Sequence, residues 1–164
     1  MSTIRPGRAA DAPALLALLP ELADFPLPAW RTASQVANAD AGILLAAITR
    51  DDQTSCVLVA EDPDGSVAGF IFSTTRQDYF TGKPHTHIEV IVVRQDARGR
   101  GLSRRLIDAT EAWARARGHS NVTLNVFATN QRAGAVYQRL GYEPETVHYI
   151  KPLNLAATRG ELDP

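Results

Sequence analysis

Two glycines set among arginines form the part of this chain best suited to do chemistry. Gly99 and Gly101 follow a β-branched run, Val90-Ile-Val-Val93, and open into an amphipathic stretch that starts at Leu102. Arg94, Arg98, Arg100, Arg104 and Arg105 surround them. A strand, a tight turn and a helix start, in that order, build an anion site from backbone. The first turn of a helix leaves its N–H groups unpaired, and the helix dipole places partial positive charge there. Glycine lets the backbone curl and lets a phosphate approach with no side chain in the way. The same spacing also makes a plain tight turn, and the glycines alone leave both readings open. A dinucleotide fingerprint needs a third glycine where Arg104 stands, and a P-loop needs Gly-Lys-Ser/Thr, which is absent.

Further chemistry lies on either side of that turn. In the preceding strand, alternation places Thr86, Ile88, Val90 and Val92 on one face. His87, Glu89, Ile91 and Val93 then fall on the other, so two titratable groups lead toward Ile91. His85 adds a third titratable group just upstream. Later in the chain, Asn130, Ala133 and Tyr137 stand at i, i+3 and i+7, on one side of a helix. A polar strand end wetted by solvent and a tyrosine packed on a sheet are the plain alternatives.

Positioning these groups takes a sheet covered by helices. Thr3–Arg5 reads as a short strand, and Asp11 with Pro13 starts a helix whose stripe is Leu15, Leu16, Leu18, Leu19 and Leu22. Pro26 and Pro28 make Phe25–Trp30 irregular, and one helix is expected over Ser34–Thr49. Cys56–Glu61 and Ser66–Thr75 form an antiparallel hairpin around Pro63-Asp-Gly65. Gln77–Pro84 is a loop, and Thr86–Val93 the next strand. A helix over Leu102–Arg117 buries Leu102, Leu106, Ala109 and Trp113 and ends at Gly118. Val122–Phe127 is a strand, Gln131–Leu140 a helix closed by Gly141, and Glu145–Pro152 a last strand before a loose tail over Asn154–Pro164. The pattern is that of an α/β or α+β fold.

Composition bounds the rest. A chain of 164 residues, 45% hydrophobic and 21% charged, is expected to fold as one domain over residues 1–164. A net charge of −1 gives no global field favouring nucleic acid or an anionic membrane. The lone Cys56 excludes an internal disulfide framework and fits a reducing compartment. The N-terminal residues hold no signal-peptide core, and the longest apolar run, Ala41–Ile48, is too short to span a bilayer. A cytoplasmic protein is expected.

Two motifs together then point to a family. Arg98-Gly-Arg-Gly101-Leu-Ser103 resembles Arg/Gln-x-x-Gly-x-Gly/Ala, with small Ser103 in the last place. Asn130-Gln-Arg-Ala133-Gly-Ala-Val-Tyr137, followed by Leu140-Gly-Tyr142, resembles a second landmark, Asn-x-x-Ala-x-x-x-Tyr with Leu-Gly-Phe/Tyr. In this order and spacing the chain resembles the GNAT superfamily of N-acetyltransferases. The resemblance implies a mixed, mostly antiparallel sheet with a central splayed strand pair, flanked by about four helices. It implies acetyl-CoA as the acyl donor, with no metal, and a small-molecule amine as the acceptor.

The resemblance also assigns roles. Arg98, Gly99, Arg100, Gly101, Leu102 and Ser103 hold the pyrophosphate. Backbone near Ile91, Val92 and Val93 receives the pantetheine arm, and the N–H near Ile91 polarises the thioester carbonyl. Asn130 and Ala133 contact the same arm, and Tyr137 protonates the leaving thiolate. Glu89 is the expected base or water-orienting group, with His87 as helper or substrate contact; the choice among Glu89, His87 and a water relay stays open. Trp30, Phe25, Tyr79 and Phe80 are expected to wall the acceptor pocket. Glu21, Asp24 and Asp78 could draw a cation there, but scattered surface acids are the plainer explanation. A protein or peptide acceptor, or a non-catalytic CoA-binding module, are the competing readings, and a homodimer is a family expectation.

Overall fold

β-Branched and aromatic residues crowd Ser55–Glu61, Val67–Gln77 and Pro84–Val93, and these stretches form the centre of a sheet. The computed structural model describes residues 1–50 and 53–153. Its strands are β1 (Thr3–Pro6), β2 (Ser55–Glu61), β3 (Val67–Gln77), β4 (Pro84–Val93) and β5 (Val122–Leu124), ordered in space as in sequence. All neighbours are antiparallel except β4 and β5, which run parallel. The helices are α1 (Ala12–Leu18), α2 (Ala33–Asn38), α3 (Ala41–Thr49), α4 (Leu102–Ala116) and α5 (Gln131–Arg139).

Two apolar layers hold the sheet. Leu15, Leu18 and Leu19, with Ala37 and Leu44 from α2 and α3, pack on Val59, Phe70, Phe72, Val90 and Val92. On the opposite face Leu102, Leu106 and Ile107 of α4 pack on Ile71, Ile88 and Val93, with Ile91, Tyr137 and Tyr142 at the margin.

Ile88 and Val90 therefore lie in different layers, contrary to the expected alternation through β4. The cause is a β-bulge. Phe72 pairs with Val90 and Ser73 with Ile88, so Glu89 has no opposing residue on β3. An extra residue on one strand resets every side chain beyond it. Glu89 stays on the face of His87 and Thr74, while Ile91 and Val93 turn to the second layer.

Other expectations are corrected as well. The helix expected over Ser34–Thr49 is two helices. Thr32 and Gln35 form a reciprocal capping box that starts α2 (3.2 and 3.0 Å), and α3 begins after Asp40, whose carbonyl accepts the Leu44 N–H at 2.9 Å. The break lets Ala37 and Leu44 both reach the core. In α4 the buried line is Leu102, Leu106, Ile107, Thr110 and Ala114, while Trp113 lies half-buried under the Arg117 guanidinium, 4.0 Å from its ring centre. β5 ends at Leu124 rather than Phe127. The expected strand over Glu145–Pro152 is not formed: among the described residues the segment has no ladder partner, and Val147 and Tyr149 are exposed. Alternation alone does not make a strand without a partner edge, and Pro144 and Pro152 remove two donors. The tail expected over 154–164 lies outside the described residues. Gly118 and Gly141 end α4 and α5 in the left-handed region, as expected (φ +73° and +89°).

Among the described residues no helix is long and apolar enough to cross a membrane.

Candidate functional site

The glycine turn has the backbone of an anion cradle. Gly99 and Gly101 take φ +79° and +74°, where a side chain would be strained. The first bond of α4 runs from the Arg105 N–H to the Gly101 carbonyl, 3.2 Å. Among the described residues, the N–H groups of residues 99–104 have no hydrogen-bond partner. They include Gly99, Arg100, Gly101, Leu102 and Ser103, at the positive end of a helix of 15 residues.

The arginines around this turn are not a loose halo. Arg98 donates to the Val93 carbonyl (3.3 Å) and pairs with Glu21 (2.6 Å) and Asp24. It thus pins the turn to the end of β4 and to the segment after α1, and its guanidinium is already neutralised. Arg94 holds Asp62, Asp96 and the Val67 carbonyl, and Arg105 holds the Ser2 carbonyl. Arg100 and Arg104 keep side chains 52% and 72% exposed, with partners only at 3.7 Å (Asp62) and 3.8 Å (Asp108) and one Arg100 bond to the Asp96 carbonyl. Long exposed pairs of this kind are weak and yield readily to a stronger anion.

Upstream of the turn, β4 parts from β5. Their pairing covers Thr86–Val122, His87–Thr123 and Ile88–Leu124 and then stops, while β4 runs on to Val93. The Arg94 N–H donates to Ala68 on β3 (2.8 Å). By alternation Val92 also faces β3, and Ile91 and Val93 present their N–H groups to the open side. Val92, expected beside them, instead buries its side chain in the first layer. The unpaired edge and the unpaired turn follow one another along the chain.

The last turn of α5 brings Tyr137 to the second layer. Asn130 starts the helix, its Oδ1 accepting the Ala133 N–H at 3.2 Å. Tyr137 packs edge-on to Tyr142, centroids 6.1 Å apart, and its hydroxyl has no protein partner among the described residues. Burial pushes its phenol above the ordinary tyrosine range, so it is protonated at neutral pH.

On the other face of β4 a row of polar side chains crosses three strands. His87 stands opposite Thr74 on β3 and Thr123 on β5. His87 Nδ1 is 2.7 Å from Thr123 Oγ1, and Nε2 is 4.0 Å from Glu89 Oε2. The Glu89 carboxylate, only 6% exposed, accepts from Thr74 Oγ1 (2.5 Å) and from Arg76 through Nε (3.0 Å) and Nη2 (2.7 and 2.5 Å). Burial holds His87 below the ordinary histidine range, and the Arg76 charge adds to this while Glu89 opposes it. Asp40, at the break between α2 and α3, has its carboxyl raised by burial and by Glu89, with Arg76 acting the other way.

Thr74, Arg76, Asp40 and Thr123 are absent from the sequence expectation. Nothing local marks them; only the strand register and the helix break bring them to Glu89 and His87. The expected aromatic wall is not assembled. Tyr79 and Phe80 sit at the tip of the β3–β4 hairpin, 93% and 72% exposed, with rings 5.3 Å apart. At about 3.4 Å per residue, Pro84 alone is roughly 17 Å along the strand from Glu89. Trp30 lies partly exposed in the loop before α2 and makes no ring contact with them. Phe25 instead meets Phe127, centroids 5.3 Å apart, beside an open groove of about 500 Å³ lined by Asp24, Phe25, Pro26, Asn130 and Arg132. Among the described residues no cluster of three or more His, Cys, Asp or Glu could hold a metal ion.

Known proteins share this arrangement of elements. A mutant of the BH1408 protein from Bacillus halodurans superposes with a TM-score of 0.76 at 20% identity, over 92% of this chain and 99% of that one. AAC(6')-Iy in complex with the bisubstrate analogue CoA-S-monomethyl-acetylneamine does so with a TM-score of 0.67 at 24% identity, over 93% and 99%. At such identities the likeness is one of fold. The L-methionine sulfoximine/L-methionine sulfone acetyltransferase of Pseudomonas aeruginosa is 31% identical over 144 residues, 87% of this chain and 80% of that protein. The mycothiol acetyltransferase of Beutenbergia cavernae is 38% identical over 91 residues, 56% of this chain; the match spans only 29% of that longer protein. The Acetyltransferase (GNAT) family model matches residues 16–142, from α1 through the glycine turn to Tyr142. Sequence model and fold agree, and the chain belongs to the Acetyltransferase (GNAT) family.

Proposed function

We propose that the protein is an acetyl-CoA-dependent N-acetyltransferase that acts on the primary amine of a small molecule. The observation that carries this is the single unpaired donor edge formed by the Ile91 and Val93 N–H groups and the N–H groups of residues 99–104. An extended, amide-rich pantetheine arm adds to such an edge as a strand would. The turn receives the pyrophosphate, with Arg100 and Arg104 free to swing onto it. Asn130 and Ala133, at the start of α5, border the arm on its other side.

The transfer follows from the same geometry. The Ile91 N–H donates to the thioester carbonyl and to the oxyanion that develops there, a contribution of about 3–4 kcal/mol at comparable acyl-transfer sites. The amine nitrogen attacks the carbonyl carbon, the carbon–sulfur bond breaks, and the sulfur leaves as a thiolate. One proton leaves the attacking nitrogen for the His87–Glu89 pair, and the thiolate takes another from the Tyr137 hydroxyl. Neutral, buried His87 is the better acceptor of the two, because Glu89 already accepts from Arg76 and Thr74.

A small-molecule acceptor is supported by the methionine sulfoximine and mycothiol acetyltransferases among the relatives. The lone thiol, Cys56, is buried in β2 and pushed up to about 11 by burial, so it stays un-ionised and takes no part in the transfer. The test is a panel of amines with acetyl-CoA, followed by release of free thiol. Release with one or more small primary amines supports the proposal. Release only with peptides, or none at all, contradicts it.

A further inference from the structure

Arg98 sits on the edge that a donor arm has to use. The Arg94 N–H bonds Ala68 of β3, so by alternation Val93 turns both its N–H and its C=O to the open side of β4. Its C=O accepts from Arg98 Nε at 3.3 Å, a long bond that is readily given up. An arm that adds as a strand needs acceptors for its amide N–H groups as well as donors for its carbonyls. At Val93 the guanidinium and the arm compete for one carbonyl.

The other Arg98 donors clasp two acids of the segment after α1. Nη2 donates to Glu21 at 2.6 Å and Nη1 to Asp24. Asp24 also pairs with Arg132 at 3.5 Å, and Phe25 packs on Phe127. Arg98 follows β4 and Arg132 follows β5, so one carboxylate ties the two sides of the cleft between these strands. Buried Leu19 anchors the segment upstream, and the Thr32 capping box anchors it downstream. Between them, residues 24–31 form no helix or strand and are held to the site by these contacts.

We propose that Arg98 is a switch with two sets of partners: the Val93 carbonyl, Glu21 and Asp24 in one position, and the pyrophosphate of acetyl-CoA in the other. The proposal rests on the acetyl-CoA reading of the glycine turn. Charge decides which set wins. Exposed ion pairs contribute no more than about fivefold each to an equilibrium, and the Glu21 and Asp24 side chains are 27% and 51% exposed. A pyrophosphate brings its negative charges to the turn and accepts from a guanidinium in a bidentate, charge-assisted pair. Once Arg98 moves, the Val93 carbonyl is open to a pantetheine N–H, and the segment that carries Trp30 into α2 is released from the turn. The α2–α3 side of the sheet also holds His87 and Glu89. One side chain thus couples donor binding to the elements that cover the proton-accepting face.

The test uses Trp30 as a reporter. The chain has two tryptophans, and Trp113→Phe removes the other, which lies roughly 16 Å along α4 from the turn. In that background acetyl-CoA should shift Trp30 emission and raise its quenching by acrylamide, with the midpoint that calorimetry gives for binding. Glu21→Gln with Asp24→Asn keeps both shapes and removes the clasp. This form should show the released emission before ligand is added, change little on titration, and bind acetyl-CoA about tenfold more tightly. Asp24→Asn alone removes the more exposed partner and should give part of each effect. Calorimetric binding with no change at Trp30 overturns the inference, as does a double variant that keeps the full response or binds more weakly. Absence of acetyl-CoA binding in every form overturns the donor reading itself.

Discussion

Glu89 and Ile91 stand two residues apart in β4 and serve opposite faces of the sheet. Glu89 accepts from Thr74 at 2.5 Å on the first face, and Ile91 packs against the second layer. The bulge at Glu89 produces this split and has a chemical consequence. It leaves the Ile91 N–H at the open edge while the proton-accepting groups gather on the side of α2 and α3.

Arg76 tunes that proton-accepting side. Its charge helps to hold His87 below the ordinary histidine range, and removing it lets the His87 value rise. Activity that needs neutral His87 is lost as pH falls through that value, so Arg76→Gln should move the acid limb of the kcat/KM profile to higher pH. The exposed half of the Arg76–Glu89 pair limits the cost in stability to about 1–2 kcal/mol. An unmoved limb, or one moved to lower pH, contradicts the assignment of His87.

Among the described residues Tyr137 makes no hydrogen bond that its hydroxyl would forfeit. Tyr137→Phe should therefore leave the melting temperature within a degree or two while lowering kcat by about 100-fold, with acetyl-CoA affinity unchanged. Steady-state kinetics beside a calorimetric titration would check this. Equal loss of turnover and affinity would speak against a role at the leaving sulfur.

At Gly101 an added Cβ meets no atom within 4 Å, so the objection to a side chain is the backbone angle, φ +74°. Gly101→Ala should cost about 1–2 kcal/mol of stability and weaken acetyl-CoA binding by about tenfold as the cradle relaxes. Thermal unfolding and titration separate the two effects. Normal affinity in a destabilised variant would mean that the turn does not hold the donor.

Asp24 shares Arg98 and Arg132 beside the groove at the start of α5. A pyrophosphate held on the Gly99–Ser103 turn, next to Arg98, is repelled by this neighbouring carboxylate. Asp24→Asn should tighten acetyl-CoA binding a few-fold at low salt, and the gain should fade as salt is added. Weaker binding in the variant would show that the Arg98–Asp24 pair serves to shape the donor site.

What could be read from the residues was local. Gly99 and Gly101 mark the turn, Gly118 and Gly141 end their helices, and Pro63-Asp-Gly65 closes its hairpin, because each depends on backbone preferences within a few residues. The bulge at Glu89 could not be read, since it exists only in the register between β3 and β4. The same holds for Arg98, whose carboxylate partners lie more than seventy positions earlier. The resemblance puts Tyr79 and Phe80 in the wall of the acceptor pocket, and the length of β3 and β4 sets them at the hairpin tip, far from Glu89. The break at Asp40 and the missing ladder over 145–152 are decided by what each segment packs against, which spacing alone does not encode.

The most direct test of the central claim is a calorimetric titration of the purified protein with acetyl-CoA, with CoA and ATP as competitors. Saturable, one-to-one binding of acetyl-CoA that CoA displaces and ATP does not is the expected result. Absence of acetyl-CoA binding, or displacement by ATP as readily as by CoA, would contradict the donor site built from Ile91, Val93 and the Gly99–Ser103 turn.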